Sequence, residues 1–134
     1  QVLDSLKGEH ARILAKIREC ENAIDELEHE YSLRAAEFQQ NKMNGMKINE
    51  MHTYENYFDS LRLKIRRKQE QLARLREQEE IKRREVVEAK KETSSIDKLK
   101  EKKRLEYDKE VLKQDELLIE EFVTTRDAMA RLNG

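Results

Sequence analysis

Counting from Leu3, positions at alternating steps of three and four fall on Leu3, Leu6, His10, Ile13, Ile17, Cys20, Ile24, Leu27, Tyr31, Arg34 and Phe38. Nine of the eleven are apolar or nearly so, which makes a sustained a/d seam over five heptads. Such a stripe cannot bury itself and requires a partner helix. It stops at Gln39-Gln40-Asn41-Lys42-Met43-Asn44-Gly45, where Asn-Gly is the one strong turn dipeptide and Gly45 suits a left-handed C-cap. Asn49, followed by Glu50, reads as the N-cap of a second helix, which puts the break at about 44–49. A second run passes through Tyr54, Phe58, Leu61, Ile65, Lys68, Leu72, Leu75, Glu79, Lys82, Val86, Ala89, Thr93 and Ile96. Nine of these thirteen are apolar or Ala, and the seam weakens at 79–82 and at Thr93-Ser94-Ser95. Beyond it the same register fails, and a new phase, Leu105, Leu112, Ile119, Phe122 and Met129, fits better. The phase changes near residue 98, as at a stutter, and no Pro or Gly interrupts the helix there.

The pattern predicts an all-α fold: one antiparallel two-helix coiled-coil hairpin with helix 1 over about 1–43, a tip at 44–49 and a much longer helix 2 over about 50–132. A short connection makes consecutive helices neighbours. Folding about residue 46 sets residue i against about 93 − i, so Ile24 is expected near Gln69, Cys20 near Ala73 and Ile13 near Glu80. At 1.5 Å per residue, helix 1 is about 65 Å long and helix 2 about 125 Å. Helix 1 therefore runs out when helix 2 reaches about residue 91. The remainder of helix 2 is expected to carry an uncovered apolar stripe, the mark of an interaction surface.

Composition narrows the function classes. The 134 residues are 43% charged and 37% hydrophobic, too polar to fill a globular core and too regularly apolar for a disordered tail. Pro is absent and Gly occurs only at 8, 45 and 134, so long helices are permitted. One cysteine, Cys20, allows no internal disulfide and fits a reducing compartment. No apolar run can span a bilayer and no signal peptide is visible, so no direct membrane insertion is expected. The chain starts at Gln1 rather than Met, so a short upstream piece is expected. Net charge is −1 but uneven: residues 1–61 carry 7 basic and 12 acidic groups (−5), 62–104 carry 17 and 9 (+8), and 105–134 carry 4 and 8 (−4). The basic band could attract an acidic partner, although its interleaved Glu residues also suit a solvated helix face.

Catalytic and metal chemistry find little support. His10, His29 and His52 are scattered, His10 falls on the seam, and Cys20 fits as a small apolar filler. No glycine-rich phosphate cradle is present, and a two-helix rod offers no concave pocket to tune its many carboxylates. The chain is read as no enzyme, with no cofactor. Nor is nucleic acid an expected partner: the basic band overlaps the seam, contains nine acidic residues and lacks interleaved aromatics.

Several segments are similar to one known family. Asn44-Gly45-Met46-Lys47-Ile48, then Tyr54-Glu55-Asn56-Tyr57-Phe58-Asp59-Ser60-Leu61 and Ile65, resembles the tip and second-helix start of the flagellar export protein FliJ family. Lys98-Leu99-Lys100-Glu101-Lys102 and Ile119-Glu120-Glu121-Phe122-Val123-Thr124-Thr125-Arg126 resemble that family's closing segment, which commonly has Asp-Glu-Phe-Ala where this chain has Glu120-Glu121-Phe122-Val123. The likeness covers essentially the whole chain, and its order around one Asn-Gly tip is more specific than any single motif.

The resemblance implies a cytoplasmic coiled coil at the flagellar base, on the inner face of the cell membrane, like the central stalk of a rotary ATPase. Its implied partners are the hexameric flagellar export ATPase, the cytoplasmic domain of the membrane export gate and empty export chaperones. Carried onto this chain, the ATPase-facing end is residues 1–20 with about 105–132, where Leu112, Ile119, Phe122, Val123 and Met129 are the apolar candidates and Glu120, Glu121 and Arg126 the polar ones. Covering by an upstream segment of the same chain is an equal alternative for the apolar ones. The gate-facing candidates are Tyr57, Leu61, Lys64 and Lys68, with Leu27 and Tyr31 opposite on helix 1. Leu27, Tyr31 and Leu61 also sit on the seam, where a core role is favoured, whereas Tyr57 and Lys64 lie off it. Two alternatives stand beside this reading: the equivalent stalk of a virulence type III secretion system, and a purely structural homodimeric coiled coil.

Overall fold

A computed structural model describes residues 1–133. Among them there are two helices and no strand: α1 spans Val2–Met43 and α2 spans Ile48–Asn133. The all-α class with a much longer second helix is what the heptad runs predict. With no Pro, and no Gly between the tip and the chain's last residue, nothing interrupts α2. It passes through Thr93-Ser94-Ser95 and the phase change near residue 98 as continuous helix.

The tip differs from expectation in one detail. Asn44 caps α1 in a right-handed conformation, donating its backbone N–H to the Gln40 carbonyl at 3.2 Å. Gly45, one residue on, takes the left-handed conformation at φ 95° and donates to Lys42 at 3.1 Å. A side chain at Gly45 would meet no neighbour, so backbone strain alone favours glycine there. α2 then begins at Ile48, before Asn49, with Met51 donating to the Lys47 carbonyl. Asn49 is therefore inside the first turn and is not the N-cap. Its carbonyl accepts from Thr53 Oγ1 at 3.0 Å.

The chain divides into two units, Gln1–Ala89 and Lys90–Gly134. The first is the antiparallel hairpin. All eleven seam positions of α1 are buried or half-buried, as are the eleven of α2 from Tyr54 to Ala89. Its core has two parts. Near the tip, Phe58 is surrounded by Tyr31, Phe38, Tyr54 and Tyr57, with ring centroids 5.0, 5.7, 6.2 and 6.4 Å away. Further along, Ile17, Cys20, Ile24, Leu72 and Leu75 form an aliphatic cluster with Ile13 against it. The helix pairing follows the simple fold-back rule closely: Cys20 packs with Leu72 and Leu75, either side of the expected Ala73, and Phe38 stacks on Tyr54 at 4.9 Å. The Cys20 thiol reaches about one turn along α2 to donate to the Lys68 carbonyl at 3.2 Å.

The seam's polar exceptions on the hairpin find polar partners. His10 Nε2 lies 3.1 Å from Glu79 Oε1, so two exceptions on opposite helices form one layer. Lys82 donates to Glu9 at 2.8 Å and to Glu85 at 2.9 Å. No buried side-chain polar atom among the described residues lacks a partner.

In the second unit, every described residue is exposed, including Thr93 and Ile96, which the heptad count had carried on as seam positions. Burial along the seam ends at Ala89.

Candidate protein-interaction site

The surface near the tip is built on a chain of hydrogen bonds linking the two helices. Asn41 Nδ2 donates to the Tyr54 hydroxyl at 2.9 Å, and Tyr54 donates to Glu37 Oε1 at 2.8 Å. Arg34 bonds both Glu37 and Glu30, the latter at 2.9 Å through Nε. Tyr57 closes the chain by donating to Glu30 Oε1 at 2.7 Å. This explains how Arg34 occupies a seam position: its aliphatic stem lies along the seam while the guanidinium reaches two carboxylates.

The pKa values follow from these bonds. The Glu30 carboxyl is held below the ordinary carboxylate range, first by Arg34 and then by Tyr57. Glu37 is lowered by the Tyr54 hydroxyl and then by Arg34. Both tyrosines are raised, because ionising them would put a phenolate against the carboxylate they donate to. Glu9 is lowered by Lys82. A carboxylate depressed in the folded state stabilises it above the unfolded value and loses that contribution as pH falls through the folded one. The hairpin's melting temperature is therefore expected to drop as pH goes from about 5 to about 3, and Arg34→Met to make that drop shallower. Thermal melts followed by circular dichroism at several pH values check this, and an identical acid slope in the variant would remove the network as its source.

The gate-facing candidates separate into three environments. Leu27, Lys64 and Lys68 line one groove between the helices, together with Ala23, Glu26, Arg67 and Gln71. Tyr57 is 39% exposed and stands two helical turns before Lys64 on the same line of α2. Tyr31 lies in another groove with Arg62, which donates to its hydroxyl at 2.9 Å and stacks over its ring at 5.5 Å. Leu61, 3% exposed, is core and supports this surface from beneath. Sequence reasoning omitted Arg67, which stands beside Lys64 on the groove wall. Its spacing from Lys64, one helical turn, was the available signal.

The ATPase-facing candidates Leu112, Ile119, Glu120, Glu121, Phe122, Val123, Arg126 and Met129 all lie on the second unit and all are exposed. Helical spacing sorts the apolar ones into two stripes, where the heptad phase had merged them into one. Leu105, Leu112, Ile119 and Val123 form the first. Phe122 and Met129 belong to the second with Val111 and Leu118, which the single phase had passed over.

Among the described residues, no group of three or more His, Cys, Asp or Glu could hold a metal ion, and no helix is long and apolar enough to cross a membrane. His52 pairs with Glu55 at 3.5 Å, on the exposed surface.

Comparison with known proteins gives one positive result. No curated protein and no solved structure matches the chain. A family model described as flagellar FliJ protein matches residues 1–130, nearly the whole length. The chain thus belongs to the FliJ family, structural components of flagellar type III protein export.

Proposed function

We propose that this chain is the stalk-like activator of the flagellar export ATPase, working in the cytoplasm at the flagellar base. The observation that carries the reading is the exposed apolar surface of the second unit. Phe122 is 68% exposed and Met129 61%, on a stretch of α2 that the hairpin core does not use. A chain that leaves large side chains in water along several helical turns stores free energy that a partner recovers, about 25 cal/mol per Å² covered. In the proposed role the ATPase hexamer covers this surface with Leu112, Ile119, Phe122, Val123 and Met129. Glu120, Glu121 and Arg126 set its orientation from the polar rim. The family's export function favours this reading over a purely structural homodimer, and flagellar membership favours it over the virulence-system stalk.

Near the tip, Tyr57, Lys64 and Lys68, flanked by Leu27 and Tyr31 and supported by Leu61, form the proposed contact for the cytoplasmic domain of the export gate. Exposed Lys64 and half-buried Lys68 suit an acidic partner surface. Empty export chaperones are the third proposed partner, with no residues assigned to them.

Titrating the chain into the matching export ATPase, with hydrolysis rate as readout, tests the central claim. Saturable stimulation is expected. A rate that stays flat through a large excess of the chain would exclude activation of that ATPase.

A further inference from the structure

Two stretches of groove on the hairpin share Lys68 and Gln71, and so run together as one channel along the α1–α2 contact. Its floor is apolar, with Ala23 and Leu27 in one stretch and Cys20 and Leu75 in the other. Five cations line it: Lys64, Arg67 and Lys68 in the first stretch, and Lys16 and Arg74 in the second. Only Glu19 and Glu26 oppose them. Lys68 reaches Gln71 at 3.4 Å, whereas Lys16, Lys64, Arg67 and Arg74 make no ion pair with any described residue. From residue 64 to 78 the channel follows α2 for about 21 Å.

The second unit carries the complementary pattern. Its stripe of Leu105, Leu112, Ile119 and Val123 is exposed throughout, with Ile119 at 63%. By helical spacing, Asp108 and Asp115 lie along one edge of that stripe, and Glu116 and Glu120 along the other, with Lys109 the one cation among them. Residues 105–134 carry 8 acidic and 4 basic groups, net −4. An apolar ridge with acidic edges matches an apolar floor with cationic walls. Two copies of the acidic ridge facing each other would instead set like charges together.

We propose that two copies of this chain associate by laying the Leu105–Val123 stripe of one into the basic channel of the other's hairpin. A third helix then covers the half-exposed side of the two-helix seam, and the free cations gain carboxylate partners. If both copies do this reciprocally, the assembly closes at a dimer. The inference does not rest on the ATPase reading, although it uses Leu112, Ile119, Val123 and Glu120 of that surface and Lys64 and Lys68 of the proposed gate contact; it is measured by mass rather than by hydrolysis rate.

The test is the mass of the full chain by sedimentation equilibrium from about 1 to 200 μM, at about 25 mM and about 500 mM salt. The expected result is a rise from 16.1 kDa towards twice that at low salt, with association at least about tenfold weaker at high salt. Reversing the walls (Lys64→Glu, Arg67→Glu, Arg74→Glu) is expected to leave a monomer, and so is reversing the edges (Glu116→Lys, Glu120→Lys). Mixing the two reversed chains is expected to restore association, which a variant that merely misfolds could not do. A mass fixed at 16.1 kDa throughout would overturn the proposal. So would a dimer that survives wall reversal, which would mean the second units pair with each other, and so would a mixture that stays monomeric.

Discussion

Phe58→Ala is expected to lower the stability of the hairpin by about 3–5 kcal/mol. Phe58 is 6% exposed and touches four other aromatic rings. Removing it takes away the transfer free energy of the ring and leaves a cavity whose walls are held from both helices. Tyr54 and Tyr57 cannot simply collapse inward, because their hydroxyls are bonded to Glu37 and Glu30. Offset and edge-on ring contacts add about 0.5–1.5 kcal/mol each beyond area burial. Only nine apolar residues are buried among those described, so one of them carries a large share of a total that is commonly 5–15 kcal/mol. Urea unfolding followed by circular dichroism gives the difference. Phe122→Ala, at an exposed position, is expected to stay within about 0.5 kcal/mol of the parent chain. A loss below about 1 kcal/mol for Phe58→Ala would mean that the aromatic cluster does not hold the tip together.

The seam was legible because a coiled coil writes its contacts into a one-dimensional period. The count from Leu3 picked out even the polar positions correctly. His10 and Glu79 looked like two separate flaws, and they are one layer. Arg34 looked out of place in a core, yet Glu30 and Glu37 lie one turn either side of it on the same helix. Register was legible too, since folding about the tip set Cys20 between Leu72 and Leu75, where it packs. The exact start of α2 was not, because it is fixed by how the tip closes rather than by cap preference at Asn49. The end of the seam came from length rather than from period: helix 1 was expected to run out at about residue 91 and burial ends at Ala89, whereas a heptad at Thr93 and Ile96 looks the same whether or not another helix lies against it. In the second unit the difficulty is sharper. With no opposing helix to define an inside, Leu112 and Phe122 fit one phase on paper, although they lie on different stripes. Near the tip, the period assigned Leu61 to the core, and the structure buries it there. What period could not give is how side chains divide between grooves, which separates Tyr31 from Leu27 although both are seam residues.

The division into two stripes sharpens the functional test. Phe122→Ala with Met129→Ala is expected to weaken binding to the export ATPase by about tenfold to a hundredfold, as loss of large anchors from the centre of an interface does. Both side chains are exposed and lie outside the hairpin core, so helicity and the melting of the aromatic cluster are expected to stay unchanged. Calorimetric titration measures the affinity, and unchanged binding would remove this stripe from the contact. Leu112→Ala with Ile119→Ala alters the other stripe, the one proposed to enter the basic channel of a second copy. If the ATPase takes the Phe122 stripe alone, that pair leaves ATPase affinity intact and reduces self-association. If the ATPase surrounds the helix, both pairs weaken it, and self-association competes directly with docking. Stimulation of hydrolysis would then rise less steeply with the chain's own concentration once that enters the range where its mass increases. The two outcomes distinguish a helix with separate faces for two partners from one whose surface must be freed before it can act.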